Sequence, residues 1–263
     1  DGFCLHSFML LYFNPLTQIY WFCVSPIFMS KLHLHHLQSS RSFRIIWLLE
    51  ELNLTYQLTT YERVNGLAPK ALQQVHPMGK APILQDGDKT LIESAIMIEY
   101  LIDNYDAKGE QNSELIAQMV LNKQFRPDYG TPAYEDYRYW LHFTESSLMP
   151  LLIIRLLFGK MIKKSPIGIK QVAKLLKKGV DESYVNKTLE AELNMLDKHL
   201  SSNDWLAGSQ FTGADIQLEF AINAMKTTRQ LEPRFANIHN WLKRCHARPA
   251  YQKAIAKAGE NRF

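Results

Sequence analysis

Cysteine is scarce in this sequence, whose 263 residues contain only Cys4, Cys23 and Cys245. Three cysteines cannot build a disulfide framework, and no two of them form a C-x-x-C pair. This scarcity is typical of proteins in a reducing compartment, so we expect a cytoplasmic location. It also excludes a redox mechanism that depends on a protein dithiol.

A strong excess of charge is absent as well. Thirty basic and 26 acidic residues give a formal net charge of +4. A nucleic-acid-binding surface needs basic residues clustered on one face, so we expect no nucleic-acid partner. A small anionic substrate suits the mild positive charge. A hydrophobic share of 46% with 21% charged residues is ordinary for a globular protein.

Residues 1–28 carry one charge, on Asp1, and lack the basic stretch and the small-residue cleavage site of a signal peptide. A membrane span needs about 20 unbroken apolar residues, and Pro15 and Pro26 interrupt this run. We predict that residues 1–28 lie outside the fold, with the effective start near Met29. A hydrophobic anchor and a genuine extension are the alternatives.

A lysine-rich stretch at residues 160–178 holds seven lysines and no acidic residue, interleaved with apolar Ile167, Val172 and Leu175. This pattern predicts a solvated amphipathic helix. A rim that attracts anions and a helix lying on a membrane surface are the alternatives, although membrane association is not expected.

The spacing of the apolar residues predicts a small α/β domain at residues 29–106. Residues 31–37 alternate as a strand, residues 43–52 form a strongly apolar helix, and residues 55–61 are rich in strand formers. Together they make a β-α-β unit of about 30 residues, the size of a parallel strand pair with a crossover helix.

The rest of this domain is predicted as a helix, a hairpin and a last helix. A short helix starts at Pro69, which suits a first helical position. An Asp-Gly-Asp turn at residues 86–88 joins strands at residues 82–85 and 89–92. The last helix covers residues 94–105.

After this domain the pattern predicts helices alone. Residues 107–130 are predicted as a linker or insert, and residues 131–263 as an all-α domain. The clearest helix start is a capping box formed by Thr212 and Asp215.

Two short segments carry the chemistry. Ser40 lies between a strand and the first turn of a helix, where backbone N–H groups and the helix dipole favour an anion. Glu93 and Ser94 place a carboxylate and a hydroxyl at another helix start, which suits a group with ammonium and carboxylate ends. Pro82, after a Gly-Lys turn, predicts a cis peptide bond that presents the backbone of Ala81 to a ligand. Singly, the helix-start residues are also explained as caps; the combination is far more specific.

The stretches at residues 36–44, 76–84 and 91–94 resemble the characteristic stretches of cytosolic glutathione S-transferases. Residues 137–148 are similar to that family's helical domain, and the resemblance spans residues 31–260. It is greatest to a serine-type bacterial and fungal branch typified by the yeast membrane-associated glutathione transferase. The resemblance implies a thioredoxin-like α/β domain followed by an all-α helical bundle.

The resemblance also implies roles for the site residues. Ser40 would donate a hydrogen bond to the glutathione sulfur, with Ser39 as the neighbouring alternative. Lys80 would lie near the glycyl carboxylate, and Ala81 would pair its backbone with the cysteinyl part. The implied glutathione-binding set is Lys80, Ala81, Pro82, Glu93 and Ser94, of which the last two hold the γ-glutamyl end.

The implied activity is that of a glutathione transferase. Glutathione, as substrate, attacks an electrophilic and apolar co-substrate as its thiolate, or reduces an organic hydroperoxide. A non-catalytic glutathione-binding or regulatory protein of the same fold is the alternative. A homodimer is expected by resemblance.

The co-substrate pocket is harder to read from the sequence. Tyr139, Trp140 and Phe143 are candidates for its walls, with packing in the core as the alternative. No metal is expected, because His33 and His35 share a strand face without an evident third ligand.

Overall fold

The computed structural model describes residues 31–106 and 124–259. The predicted extra segment at residues 1–28 lies outside the described residues, as does most of the predicted linker at residues 107–130.

A four-stranded sheet forms the first part of the described chain, with strands β1 (Leu32–Leu37), β2 (Gln57–Tyr61), β3 (Ile83–Asp86) and β4 (Lys89–Ile92) in the order β2-β1-β3-β4. Strands β1 and β2 are parallel, whereas the β1–β3 and β3–β4 pairs are antiparallel. The predicted β-α-β unit and Asp-Gly hairpin are thus confirmed. Gly87 has a φ of 56° in the hairpin turn, a conformation that glycine adopts at no steric cost.

The sheet domain also contains three helices: α1 (Phe43–Glu51), α2 (Ala71–Val75) and α3 (Ser94–Tyr105). Helix α1 is buried from its first residue through Leu49. Its Trp47 ring meets the ring of Tyr251 edge-on at 5.0 Å, from a helix near the end of the chain. This burial on several sides explains why the sequence of α1 is apolar almost all round.

The remaining described elements are helical: α4 (Pro132–Phe143), α5 (Met149–Lys164), α6 (Lys170–Val180), α7 (Asn186–Leu200), α8 (Gly213–Thr227), α9 (Ala236–His246) and α10 (Pro249–Ala258). Single π-helical turns, Thr144–Leu148 and Asp181–Val185, join α4 to α5 and α6 to α7. The predicted order, an α/β part followed by an all-α part, is confirmed.

Helix α8 packs against α1 and α3 of the sheet domain and against α4 of the helical part. It is therefore buried along almost its whole length. It begins with the predicted capping box, in which the Thr212 N–H donates to Asp215 Oδ2 at 2.9 Å. Gly213 follows in close contact with α3. A β-carbon there would lie 2.5 Å from Ile98 Cγ2 and 2.9 Å from Ile102 Cδ1. The absence of a side chain therefore sets how closely α8 approaches the sheet domain.

The predicted lysine-rich helix is divided between the end of α5 and α6. Helix α6 is amphipathic, but its apolar side faces solvent, with Leu175 70% exposed and Ala173 buried. In the described chain, one helical stretch, Pro132–Lys164, is long and apolar enough to cross a membrane, and 33% of its most apolar window is buried. Length and composition alone support no more, since a core helix meets the same criterion.

Candidate active site

Three predicted segments meet at one end of the sheet. Strand β3 runs antiparallel to β1, with Ile83 opposite His35, so the same register carries Ala81 beside Leu37 at the end of β1. Strand β4 pairs Ile92 with Ile83, which carries the next residue, Glu93, beside Pro82. The turn after β1, the start of β3 and the end of β4 therefore share one edge.

Ser40 lies in the turn between β1 and α1 and is buried to 8% exposure. Its carbonyl accepts the Phe43 N–H at 3.2 Å, which brings the turn into the first turn of α1. Its Oγ lies 2.7 Å from Ser42 Oγ and accepts the Ser42 N–H at 3.3 Å. Ser42 occupies the N-cap position but makes no side-chain cap bond, so the start of α1 lacks an ordinary serine cap.

Ser39, the alternative to Ser40, has a left-handed backbone with a φ of 52°. Its carbonyl accepts a hydrogen bond from Arg63 Nη2 at 2.9 Å, and Gln38 accepts one from Arg63 Nε at 3.1 Å. The side chain of Arg63, which follows β2, thus binds the backbone carbonyls of this turn. Ser39 is more exposed than Ser40, and both remain next to the start of α1.

The Ala81–Pro82 peptide bond is cis, as predicted. Pro82 is buried, Ala81 is half-buried, and the side chain of Lys80 is exposed at the rim. Gly79 precedes them with a φ of 57°, and a β-carbon at this glycine would meet Gln73 Cγ at 2.5 Å. The turn before β3 therefore depends on glycine for both its conformation and its packing.

Glu93 has an unusual backbone for a residue with a side chain, with φ 69° and ψ 120°. Such conformations cost of order 1–3 kcal/mol and cluster at functional sites. Glu93 is exposed and immediately precedes α3, whose first N–H groups have no intrahelical partner. A carboxylate and a set of free N–H donors thus lie side by side.

Ser94 is buried, and its hydroxyl is already engaged. It accepts a hydrogen bond from Arg44 Nη1 at 2.9 Å and donates one to Gln217 Oε1 at 3.1 Å. Its side chain therefore links α3 to α1 and α8. The backbone N–H of Ser94, at the start of α3, stays available to a ligand.

Arg44 is fully buried and joins the site to the helical part. Its Nη1 lies 2.6 Å from Glu145 Oε1, and Arg41 Nε lies 3.1 Å from the other oxygen of Glu145. Burial lowers the pKa of Arg44 to about 10, with Glu145 acting in the opposite direction, so the guanidinium stays charged at neutral pH.

Sequence reasoning missed Glu145 and Gln217 as members of this network. The available signal was a glutamate and a glutamine in segments that also carry many apolar residues. A sequence does not show which distant partner such residues contact. Glu145 lies 101 residues after Arg44, and Gln217 lies 123 residues after Ser94.

The three aromatic candidates for the co-substrate pocket fall into two groups. Trp140 and Phe143 are buried, at 2% and 6% exposure, which favours core packing for these two. Tyr139 is half exposed, and its hydroxyl lies 3.4 Å from Met195 Sδ on α7. Glu145, in the π-helical turn after α4, contacts Arg41 and Arg44, which follow Ser40 in the chain.

The strand histidines have partners within the sheet. His33 Nε2 bonds Thr59 Oγ1 at 2.8 Å, and His35 bonds both Tyr61 and Gln85. Among the described residues, no group of three or more His, Cys, Asp and Glu side chains is placed to hold a metal ion.

Comparisons with known proteins agree on one family. Residues 30–103 match the family model for the glutathione S-transferase N-terminal domain, and residues 158–249 match the C-terminal domain. Glutathione S-transferase 3 of Schizosaccharomyces pombe is 35% identical over 228 residues, which cover 87% of this chain and 88% of that protein. Glutathione S-transferase 1 of Saccharomyces cerevisiae is 27% identical over 85% of this chain and 94% of its own.

Solved structures lead to the same fold. A glutathione S-transferase from Actinobacillus pleuropneumoniae has a TM-score of 0.63 at 33% identity, covering 86% of this chain and 92% of its own. A glutathione transferase from Phanerochaete chrysosporium, solved with oxidized glutathione, has a TM-score of 0.65 at 21% identity, with 89% and 98% coverage.

Proposed function

Because this chain belongs to the glutathione S-transferase family, we propose that it binds glutathione at the shared edge of β1, β3 and β4 and transfers it to an electrophile. The main support for this proposal is that the three segments lie at one edge of the sheet, with Ser40 at the start of α1 and a strained Glu93 at the start of α3. Each predicted glutathione-binding residue belongs to one of these segments.

The γ-glutamyl end is assigned to the start of α3. Its α-carboxylate would take the free backbone N–H groups there, Ser94 included, where the helix dipole favours an anion. Its ammonium group would pair with the exposed Glu93 carboxylate. The strained backbone of Glu93 supports this role, because such conformations cluster at functional sites and the strand register sets Glu93 beside Pro82.

The remaining parts of glutathione follow along the same edge. Ala81, beside the end of β1, would pair its backbone with the cysteinyl part. The exposed Lys80 would pair with the glycyl carboxylate. This order places the cysteinyl sulfur toward the turn that carries Ser40.

Ser40 is then the donor to the sulfur. A free thiol with a pKa near 8.5 is only a few per cent thiolate at neutral pH, and lowering that pKa by about two units requires roughly 2.7 kcal/mol. A hydroxyl donor and the N-terminus of α1 supply contributions of this size. The thiolate then attacks the electrophile, a carbon–sulfur bond forms, and the leaving group departs with its electron pair. With a hydroperoxide, the thiolate attacks the terminal oxygen, the O–O bond breaks and the alkoxide leaves to be protonated to the alcohol. The sulfenic acid formed on glutathione then condenses with a second glutathione to give the disulfide and water.

The assignment of Ser40 is tested by paired substitutions. Ser40→Ala should lower kcat/KM for a chlorinated nitroaromatic by about 100-fold while glutathione binding changes little, since a donor to developing charge is typically worth that much. Ser39→Ala, the matched control, should retain most activity. Full activity in Ser40→Ala with loss in Ser39→Ala would move the role to Ser39. Glutathione binding without turnover on a broad panel of electrophiles would favour the non-catalytic alternative.

We also propose, from family membership, that the chain acts as a cytoplasmic homodimer. Exposed apolar side chains such as Leu156 on α5 and Leu175 on α6 are available for contact with a second copy. Light scattering after gel filtration should give twice the 30.5 kDa of the chain. A single-chain mass at micromolar concentration would contradict the proposal.

A further inference from the structure

Behind Ser40 lies a buried chain of hydrogen bonds that the proposed function does not use. Ser40 Oγ lies 2.7 Å from Ser42 Oγ, and Ser42 Oγ lies 2.8 Å from Nδ1 of His36. Ser42 and His36 are completely buried. The candidate donor to the sulfur is therefore the outer end of a relay that reaches a histidine on β1.

Ser42 is surrounded by more partners than one hydroxyl satisfies. Besides Ser40 and His36, it accepts the Leu37 N–H at 3.1 Å and lies 3.2 Å from the Leu37 carbonyl. A serine hydroxyl has one proton and two acceptor lone pairs. With one lone pair taken by the Leu37 N–H, one lone pair and the proton are left for three groups.

The protonation of Nδ1 in His36 determines how the proton and the remaining lone pair of Ser42 are shared among these groups. With a proton on Nδ1, His36 donates to Ser42 and fills its second lone pair, so Ser40 has no place to donate inward. The Ser40 proton then points out to the sulfur. With Nδ1 unprotonated, Ser42 donates to His36 and accepts from Ser40. The second lone pair of Ser42 is then open to the Ser40 proton and competes with the sulfur for it.

His36 is neutral in both arrangements, which differ only in the ring nitrogen that carries the proton. Burial lowers its pKa to about 4, with the backbone carbonyl of Ala258 acting in the opposite direction. Its other nitrogen, Nε2, makes no hydrogen bond of normal geometry within the part of the chain that the structure describes. Because Nδ1 already faces Ser42, the Ala258 carbonyl favours a proton on Nε2. The ligand must therefore draw the ring proton to Nδ1: a thiolate that takes the Ser40 proton outward leaves the second lone pair of Ser42 for His36 to fill.

We propose that His36 is a positioning residue for the transferase reaction: with its proton on Nδ1 it acts through Ser42 to hold the Ser40 hydroxyl proton toward the glutathione sulfur. This inference rests on the proposed function of Ser40. It adds a residue on β1, four positions before Ser40, whose ring does not touch the ligand. Polarised chains of this kind also strengthen the outermost hydrogen bond.

The test is the pKa of the bound glutathione thiol, read from the ultraviolet absorbance of the thiolate. His36→Leu removes the donor but fills the buried site with a side chain of similar size. It should raise this thiol pKa by about 0.5 to 1 unit, the worth of one hydrogen bond, and change the dissociation constant of glutathione less than about two-fold. His36→Asn, whose amide places a donor near the Nδ1 position, should recover most of the loss. His33→Leu, on the same strand, is the matched control and should leave the thiol pKa unchanged.

The same titration separates the two ideas. If Ser40→Ala leaves the thiol pKa unchanged, the proposed role of Ser40 fails. If Ser40→Ala raises it and His36→Leu does not, the inference about His36 alone is overturned. Nitrogen-15 spectra of the wild-type complex with glutathione test it without any substitution in the core. They should show His36 as the Nδ1–H tautomer, and an Nε2–H tautomer would overturn the proposal.

Discussion

The guanidinium of Arg44 and the carboxylate of Glu145 form an ion pair, with Nη1 2.6 Å from Oε1, between the first helix of the sheet domain and the π-helical turn of the helical part. The side chain of Arg44 is inaccessible to solvent, and that of Glu145 is 32% exposed. The same Nη1 also donates to Ser94. One buried charge thus links the two parts of the chain to a predicted ligand residue.

Removing the acid from this pair leaves a buried charge without its main partner. Glu145→Gln should lower the free energy of unfolding by about 2 kcal/mol, less than for a fully buried pair because Glu145 is partly solvated. Denaturant unfolding measures this value. Glu182→Gln, which breaks an exposed pair with Lys178, should change it by less than about 0.5 kcal/mol. Equal effects of the two substitutions would contradict the structural importance of the Arg44–Glu145 pair.

Asp215 is a fully buried acid, and its hydrogen bonds lead to a second prediction about stability. Its carboxylate accepts hydrogen bonds from Thr212, from the Leu206 N–H at 3.0 Å and from Trp241 Nε1 at 2.8 Å. Asp215→Asn turns an N–H₂ group toward one of these donors and should destabilise the fold by about 3 kcal/mol. Thermal or denaturant unfolding checks this, with the exposed Glu190→Gln as control. A loss below that of the control would mean that the cap is dispensable.

Substitutions of Glu93 should affect the stability of the fold and the binding of glutathione differently. Glu93→Ala removes the carboxylate and keeps a β-carbon in the strained backbone, whereas Glu93→Gly removes both. The glycine variant should therefore be more stable than the alanine variant by about 1 kcal/mol. Both should bind glutathione at least about 10-fold more weakly, the effect of a lost charged partner. Unfolding curves and calorimetry measure the two effects. An alanine variant as stable as the glycine variant would show that the backbone is not strained.

Trp140 and Tyr139 should differ although they are neighbours. Trp140→Ala should destabilise the protein by about 3 to 5 kcal/mol, because it opens a cavity in the core. Tyr139→Ala should cost much less, since its side chain is half exposed. A co-substrate KM that responds to Tyr139→Ala would support its place in a pocket. An unchanged KM across the panel of electrophiles would remove Tyr139 from it.

Local patterns predicted the local features of this fold. The strand at residues 31–37, the Asp-Gly hairpin, the capping box at Thr212 and the cis bond before Pro82 depend on neighbours in sequence, and all are present. The site network depends on pairs far apart in the chain. No local signal connects Arg44 with Glu145. The face on which α4 buries its aromatics depends mainly on where α8 packs.

The β1 strand shows the same limit at short range. An alternating pattern at residues 31–37 predicts a strand, but not that His36 points inward against Ser42 while His33 and His35 bond to neighbouring strands. The lysine-rich stretch is a further case. Its period predicts an amphipathic helix, but not that the apolar side of α6 is left facing solvent.

We propose above that the start of α1, with Ser40, stabilises the thiolate of bound glutathione. The most direct measurement is a titration of the thiolate absorbance of glutathione bound to the wild-type protein and to Ser40→Ala. In the wild type we expect a thiol pKa about two units below the free value near 8.5, and in Ser40→Ala a pKa that moves back toward that value. A wild-type thiol pKa equal to that of free glutathione would contradict it.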